Sequence, residues 1–148
     1  MKMITSVCLL EEGDSYTASP FAITQEQVRA FGALTGDWND HNEKAVPPFL
    51  QPTAQGFFTL ALVARAWEEL FFDKSVEVLN EAISKVVFLR QVPIGVAMTP
   101  VISVFDVKRA GDGMRVVWRY KLLIPIEEKL KVAVAANIVL RYYAKKHA

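Results

Sequence analysis

Between positions 37 and 41 the chain places a carboxylate, an amide, a second carboxylate and an imidazole: Asp37, Asn39, Asp40 and His41. A carboxylate and an imidazole at this spacing can hold a water molecule and move its protons, which is general acid–base chemistry. The same residue types form ordinary turns after a helix, with His41 as a surface residue, so types and spacing alone leave both readings open. The one other histidine, His147, sits in a Lys-Lys-His-Ala tail that reads as solvated. Two histidines and one cysteine, Cys8, cannot build a Cys/His zinc site, and no metal is expected. Cys8 also excludes a disulfide framework within one chain and fits a reducing compartment.

Composition narrows the function classes further. The 148 residues are 52% apolar, and 17 basic against 16 acidic side chains leave a net charge of +1. That balance gives no electrostatic basis for binding nucleic acid, and the apolar fraction excludes disorder. One domain over residues 1–148 is expected, without linker or repeat. The longest apolar stretches, such as Phe57 to Ala64, fall far short of the ~20 residues a membrane-spanning helix needs. Glu11 and Glu12 follow the amino terminus too soon for a signal-peptide core. The expectation is a soluble, cytoplasmic protein.

The elements around the polar cluster are legible. Thr24 and Gln27 have the spacing of a capping box, Val28, Phe31 and Leu34 give an apolar stripe, and Gly36 closes the helix. Asp37 to Gln55 holds Pro47, Pro48 and Pro52 and reads as an irregular loop. From Gly56 to about Phe72 the chain is apolar almost all round, with Arg65, Glu68 and Glu69 marking one wet face, which predicts a central helix covered on most sides. Strands follow over Ile83–Val92, Val101–Val107, Val116–Leu122 and Val132–Tyr142, with a turn at Gly111-Asp112-Gly113. Val101, Ser103, Phe105 and Val107 alternate with their neighbours, and Val116, Trp118, Tyr120 and Leu122 alternate with Arg115, Arg119 and Lys121. Two helices followed by antiparallel strands make an α+β fold with the long helix packed on the sheet.

Three stretches in order carry a family resemblance. Residues Ile23 to Phe31 leading into Leu34-Thr35-Gly36-Asp37-Trp38-Asn39, then Thr53-Ala54-Gln55-Gly56-Phe57-Phe58-Thr59-Leu60, then Val86-Val87-Phe88-Leu89-Arg90-Gln91-Val92-Pro93-Ile94-Gly95 resemble the MaoC-like hydratases and dehydratases, with the NodN-like branch most similar. The family motifs are Gly-Asp-x-Asn-Pro-x-His, Ala-His-Gly and a strand ending in Pro-x-Gly. The resemblance implies the hot-dog fold, an antiparallel sheet wrapped around a long central helix, and a homodimer. It implies hydration of trans-2-enoyl thioesters of coenzyme A or acyl carrier protein to (R)-3-hydroxyacyl thioesters, or the reverse. No cofactor is implied beyond coenzyme A or phosphopantetheine as the substrate's carrier.

Carried over by position, Asp37 is the catalytic carboxylate, Asn39 its supporting amide, His41 the catalytic imidazole and Gly56 the oxyanion donor through its N–H. Glycine at position 56 also fits plain helix-start geometry or tight packing. Gln55 reads as a supporting amide near the substrate, Trp38 as a wall of the acyl pocket or ordinary packing, and Arg90, with Lys85 and Arg109, as partners for the carrier's phosphates or ordinary surface cations. The chain departs from the family at one place. Only Asp40 stands between Asn39 and His41, where the family has two residues, so without a gap the family histidine falls on Asn42, and the family's Ala-His-Gly is Ala54-Gln55-Gly56. Either one residue is deleted and His41 stays in the site, or the site has changed its chemistry. Two rival functions therefore stand beside the hydratase: a hot-dog acyl thioesterase, and a catalytically silent acyl-thioester-binding subunit. The apolar surplus on the strands and at Trp67, Phe71 and Phe72 argues for a dimer independently.

Overall fold

The structure, a computed structural model, describes residues 6–70 and 73–146; Phe71, Phe72 and His147 lie outside the described residues. Helix α1, Gln25–Thr35, has the ends the sequence predicts. Thr24 Oγ1 accepts the Gln27 N–H at 3.1 Å, and the Gln27 side-chain oxygen accepts the Thr24 N–H at 2.9 Å. Gly36, at φ 79°, returns its N–H to Gly32 O at 2.9 Å, a left-handed closure that suits a residue without Cβ. The apolar stripe needs correction. Val28 and Gly32 are the buried pair, Phe31 is half-buried, and Leu34 is 85% exposed. Six residues beyond Val28 the helix has turned roughly 240° past a full rotation, so Leu34 cannot share its face.

Where one long helix is expected, two occur: α2, Gly56–Ala61, and α3, Val63–Leu70. The chain tightens at Leu62, whose carbonyl accepts the Arg65 N–H at 3.1 Å, only three residues on. Thr59, Val63, Ala66 and Leu70 nevertheless form one buried stripe straight through the break. Arg65, Glu68 and Glu69 reach the surface as predicted, but so do Ala61 and Ala64, and Phe57 is 65% exposed. One sheet covers one stripe, so within a single chain these helices are not covered on most sides.

The strands are β1, Ser15–Thr17; β2, Val76–Phe88; β3, Thr99–Ala110; β4, Gly113–Ile126; and β5, Lys129–Ala144. They form one antiparallel five-stranded sheet in the order β1-β3-β4-β5-β2. Curled on α2 and α3, it is the α+β hot-dog arrangement. Val116, Trp118, Tyr120 and Leu122 on β4, and Val134 to Tyr142 at alternate positions on β5, turn inward and join Val63, Ala66 and Leu70 in the core. On β3 the inward residues are Ile102 and Val104, neighbours of the alternating set the sequence picks out; Phe105 faces out beneath the Arg119 guanidinium at 3.9 Å. The strand expected over Ile83–Val92 lies earlier, because the chain leaves the sheet after Phe88 and Val92 pairs elsewhere. The Ala54 N–H donates to Val92 O at 2.8 Å and the Ile94 N–H to Pro52 O at 3.0 Å. Strand β1, three residues long and following Glu11, Glu12 and Asp14, is too short to give an alternation signal. No helix among the described residues is long and apolar enough to cross a membrane.

Glu69 near the end of α3 ties the helix to β1 and to the chain just after it. Its carboxylate accepts the Tyr16 O–H at 2.8 Å, the Ser19 N–H at 3.0 Å and the Ser19 O–H at 2.9 Å. The Tyr16 bond, then those from Ser19, hold the Glu69 pKa below the ordinary glutamate value. A depressed acid stabilises the fold above its unfolded pKa and loses that contribution as pH falls through the folded value. Glu69→Gln is therefore expected to lower Tm at pH 7, with the difference from wild type shrinking as pH falls through 4.5 and below; thermal unfolding across that range checks it.

Candidate functional site

The polar cluster is built on an extended segment, Pro52 to Gln55, that leads directly into α2. This segment is pinned on one side by Val92 and Ile94, and an isolated bridge joins Thr53 to Pro93. On its other side it receives the loop. The Thr53 N–H donates to His41 O at 2.8 Å, and Asn42 Nδ2 donates to Thr53 O at 2.8 Å. Gln55 Nε2 donates both to Val28 O at 2.9 Å and to Asp37 O at 3.1 Å. The main chains of Asp37 and His41 are thus fixed to positions two residues apart, immediately before Gly56. Among the described residues no hydrogen bond or ion pair joins the Asp37 carboxylate to the His41 imidazole.

Asn42 has a different part from its neighbours. It is fully buried, and both ends of its amide are engaged, Oδ1 by the Asn39 N–H at 2.8 Å and Nδ2 by Thr53 O. Asp40–Asn42 is a single 3-10 turn, closed by the Asn42 N–H to Asn39 O at 2.9 Å and the Glu43 N–H to Asp40 O at 3.0 Å. His41, inside that turn, is half-buried with its ring beside Phe49, centroids 5.2 Å apart. Asn39 is exposed. Helix α1 holds the far end of the loop: Gln25 Nε2 donates to Asn42 O at 2.7 Å, and Arg29 forms a forked ion pair with Glu43. The Arg29 hydrogen bond keeps the Glu43 carboxyl below its ordinary pKa. These anchors were not singled out from the sequence; their trace is Gln25 and Arg29 at i, i+4 on one helix face.

Gly56 begins α2, and among the described residues its N–H has no acceptor, as the first turn of a helix allows. A Cβ there would lie 3.1 Å from the Phe88 ring, so glycine lets the end of β2 close over the start of α2. Phe57 meets the same ring edge-on at 6.1 Å. The Tyr120 O–H donates to Thr59 O at 2.8 Å and fixes the first turn to the sheet; burial pushes that phenol's pKa up. One turn beyond Gly56 an apolar groove of about 420 Å³ opens, with Leu60, Ala61, Ala64 and Trp67 on one wall and Ala82 and Ile83 of β2 on the other.

The remaining candidates are not gathered there. The Trp38 ring lies over α1, where a Cβ on Gly32 would come within 2.6 Å of it, and it shares a shallow depression with Arg29 and Glu43. It therefore packs on a helix and does not wall the apolar groove. The Arg90 guanidinium donates to Val132 O, which leaves its other N–H groups for an anion. Lys85 is exposed on β2 with φ 51°, and Arg109 stands at the hairpin end of β3 beside Val7 and Asp73. No group of three or more metal-ligating side chains occurs among the described residues.

Residues 10–124 match the family model described as MaoC like domain. The 3-hydroxyacyl-thioester dehydratase Z of Mycobacterium tuberculosis is 33% identical over 127 residues, covering 82% of this chain and 83% of that one. Among solved structures, the monoamine oxidase regulatory protein from Archaeoglobus fulgius superposes with a TM-score of 0.79 at 18% identity, over 99% of this chain and 98% of its own. The (R)-hydratase PhaJ1 from Pseudomonas aeruginosa gives 0.71 at 17% identity, over 99% and 94%.

Replacing Asn42 tests the construction of the turn. Asn42→Ala removes the partners of the Asn39 N–H and the Thr53 carbonyl in a buried place, and is expected to destabilise the protein by about 1–3 kcal/mol. Asn42→Asp, which sets a carboxylate in the same buried place against the Thr53 carbonyl, should destabilise at least as much as Asn42→Ala in urea unfolding at pH 7.

Proposed function

The chain belongs to the MaoC-like dehydratase family of lyases, and from that we propose that it interconverts trans-2-enoyl and (R)-3-hydroxyacyl thioesters of coenzyme A or an acyl carrier protein. The observation that carries this reading is the pair of tethers that bring Asp37 and His41 to one extended segment ending at the Gly56 N–H. His41, and not Asn42, is the imidazole of the reaction, since the amide of Asn42 is used up in closing the turn that presents its neighbour. The placing in the NodN-like branch rests on the motifs alone.

In the hydration direction water adds to C3 while charge gathers on the thioester oxygen. The Gly56 N–H at the start of α2 is the donor for that oxygen, a contribution worth roughly 3–4 kcal/mol for one well-placed donor. Asp37 and His41 between them take one proton from the water and return one to C2, and Asn39 supports the carboxylate. The acyl tail lies in the apolar groove that begins one turn further along α2. Arg90 serves the carrier's phosphates. The thioesterase alternative draws support from the fold likeness to a fluoroacetyl-CoA-specific thioesterase, with a TM-score of 0.60 at 14% identity over 91% of this chain and 89% of its own.

The working unit is a homodimer in the cytoplasm. Among the described residues β2 pairs in the sheet with β5 alone, and it leaves Val78, Leu79, Ile83, Val87 and Phe88 at 41–58% exposure. A second copy covering that strand removes the apolar surface from water. A Cys8 left as a free, exposed thiol fits a reducing compartment.

Incubation with crotonyl-coenzyme A separates the readings. Loss of enoyl absorbance is expected; release of free thiol would point to the thioesterase, and neither change to the silent subunit. Asp37→Asn and His41→Ala should each lower kcat by about 10²- to 10⁴-fold, and Gly56→Val should abolish turnover while leaving a folded protein. Light scattering should report a dimer, and Val78→Lys with Leu79→Lys a monomer.

A further inference from the structure

We propose that Gln55 is a positioning residue, which holds the Asp37 carboxylate in working geometry through the Asp37 main chain; this rests on the reaction proposed above. Gln55 is 3% exposed. Its Nε2 spends both hydrogens on carbonyls, Val28 O at 2.9 Å in α1 and Asp37 O at 3.1 Å just after it. A single amide nitrogen therefore clamps the helix, the start of the loop and the start of α2 to one another. The orientation is forced. With the amide reversed, Oε1 would face two carbonyl oxygens and repel both, and the tie between Asp37 O and α1 would be lost. Oε1, on the opposite side, is buried without a partner among the described residues, a cost that normally counts against burying an amide.

Gly32 supplies an independent sign that this junction is built for closeness. Glycine inside a helix is poorer than alanine. Here a Cβ would meet Trp38 Cε3 at 2.6 Å, Asp37 O at 3.3 Å and Gln55 Nε2 at 3.4 Å. Helix propensity is given up where Asp37 and Gln55 both approach α1. A histidine, which the family motif carries between its alanine and glycine, has one ring N–H to offer in its neutral form and can serve one of the two carbonyls, whereas glutamine serves both.

The test is steady-state hydration of crotonyl-coenzyme A by the full chain, with rates expressed per folded molecule. Gln55→Met keeps the volume but has no donor. Its kcat is expected to fall by about 10²-fold, as a small displacement of a reacting group allows, while KM stays near wild type and the acid limb of the pH–rate profile moves. Gln55→His should recover part of the lost kcat. Gly32→Ala should lower kcat in the same way with Gln55 intact, and it keeps the question answerable if Gln55→Met does not fold. A wild-type kcat in either Gln55→Met or Gly32→Ala, or a loss confined to KM, would overturn the positioning role. Failure of the folded wild-type protein to hydrate the substrate would overturn the proposed reaction itself, and the inference with it.

Discussion

An irregular loop can lie still beside an apolar helix only if its buried peptide groups find partners, and here two carboxamides provide them. Asn42 and Gln55 together meet the Asn39 N–H and the carbonyls of Thr53, Val28 and Asp37. An unpaired buried peptide group costs roughly 1–3 kcal/mol, so without these side chains the loop would have to open to water. The polar cluster is thus a consequence of backbone satisfaction before it is a matter of catalytic chemistry. Neither amide is itself a proton carrier, and their neutrality lets them sit in the interior without the desolvation that a charge there would suffer.

Sequence reveals such a site unevenly. The ends of α1 were legible because capping is local: Thr24 and Gln27 act on each other, and Gly36 needs only its own φ. The strands β4 and β5 were legible because each has one wet face and one dry face. Leu34 misled because a run of apolar residues resembles a stripe until the helical angle is counted, and β2 misled because neither of its faces is buried, adjacent Val78 and Leu79 alike being exposed, so it has no wet-and-dry alternation to mark its ends. Asp37, His41 and Gly56 could be named from the motifs, but the buried, bonded state of Asn42 could not. It rests on a hydrogen bond from Asn42 to Thr53, eleven residues away across a loop with no period. Gln55 was visible as an amide near the site, yet its two acceptors lie on segments 18 and 27 residues distant in sequence.

The helices and sheet show how a small α+β unit manages a core. The stripe from Thr59 to Leu70 survives the break at Leu62 because a step tightened by one residue keeps the same face toward the sheet. Tyr120 reinforces this from below, trading the solvation of its hydroxyl for a bond to Thr59 O. Satisfied in this way, a buried hydroxyl adds directionality to an otherwise apolar contact and fixes where along the strand the first turn of α2 rests.

Phe88 belongs to two neighbourhoods at once. It ends the strand whose outer edge pairs with no other strand among the described residues, and its ring lies against the start of α2 at Gly56. A group shared in this manner makes edge occupancy and site geometry thermodynamically linked quantities: whatever binds the edge and favours one placement of the ring must, in turn, be bound more tightly when the site favours that placement. Were a second copy to pair with β2, mass action would enter the proposed chemistry, with the fraction of competent sites following protein concentration. Dilution would then be a variable of catalysis, and a substrate that seats the ring would strengthen the assembly.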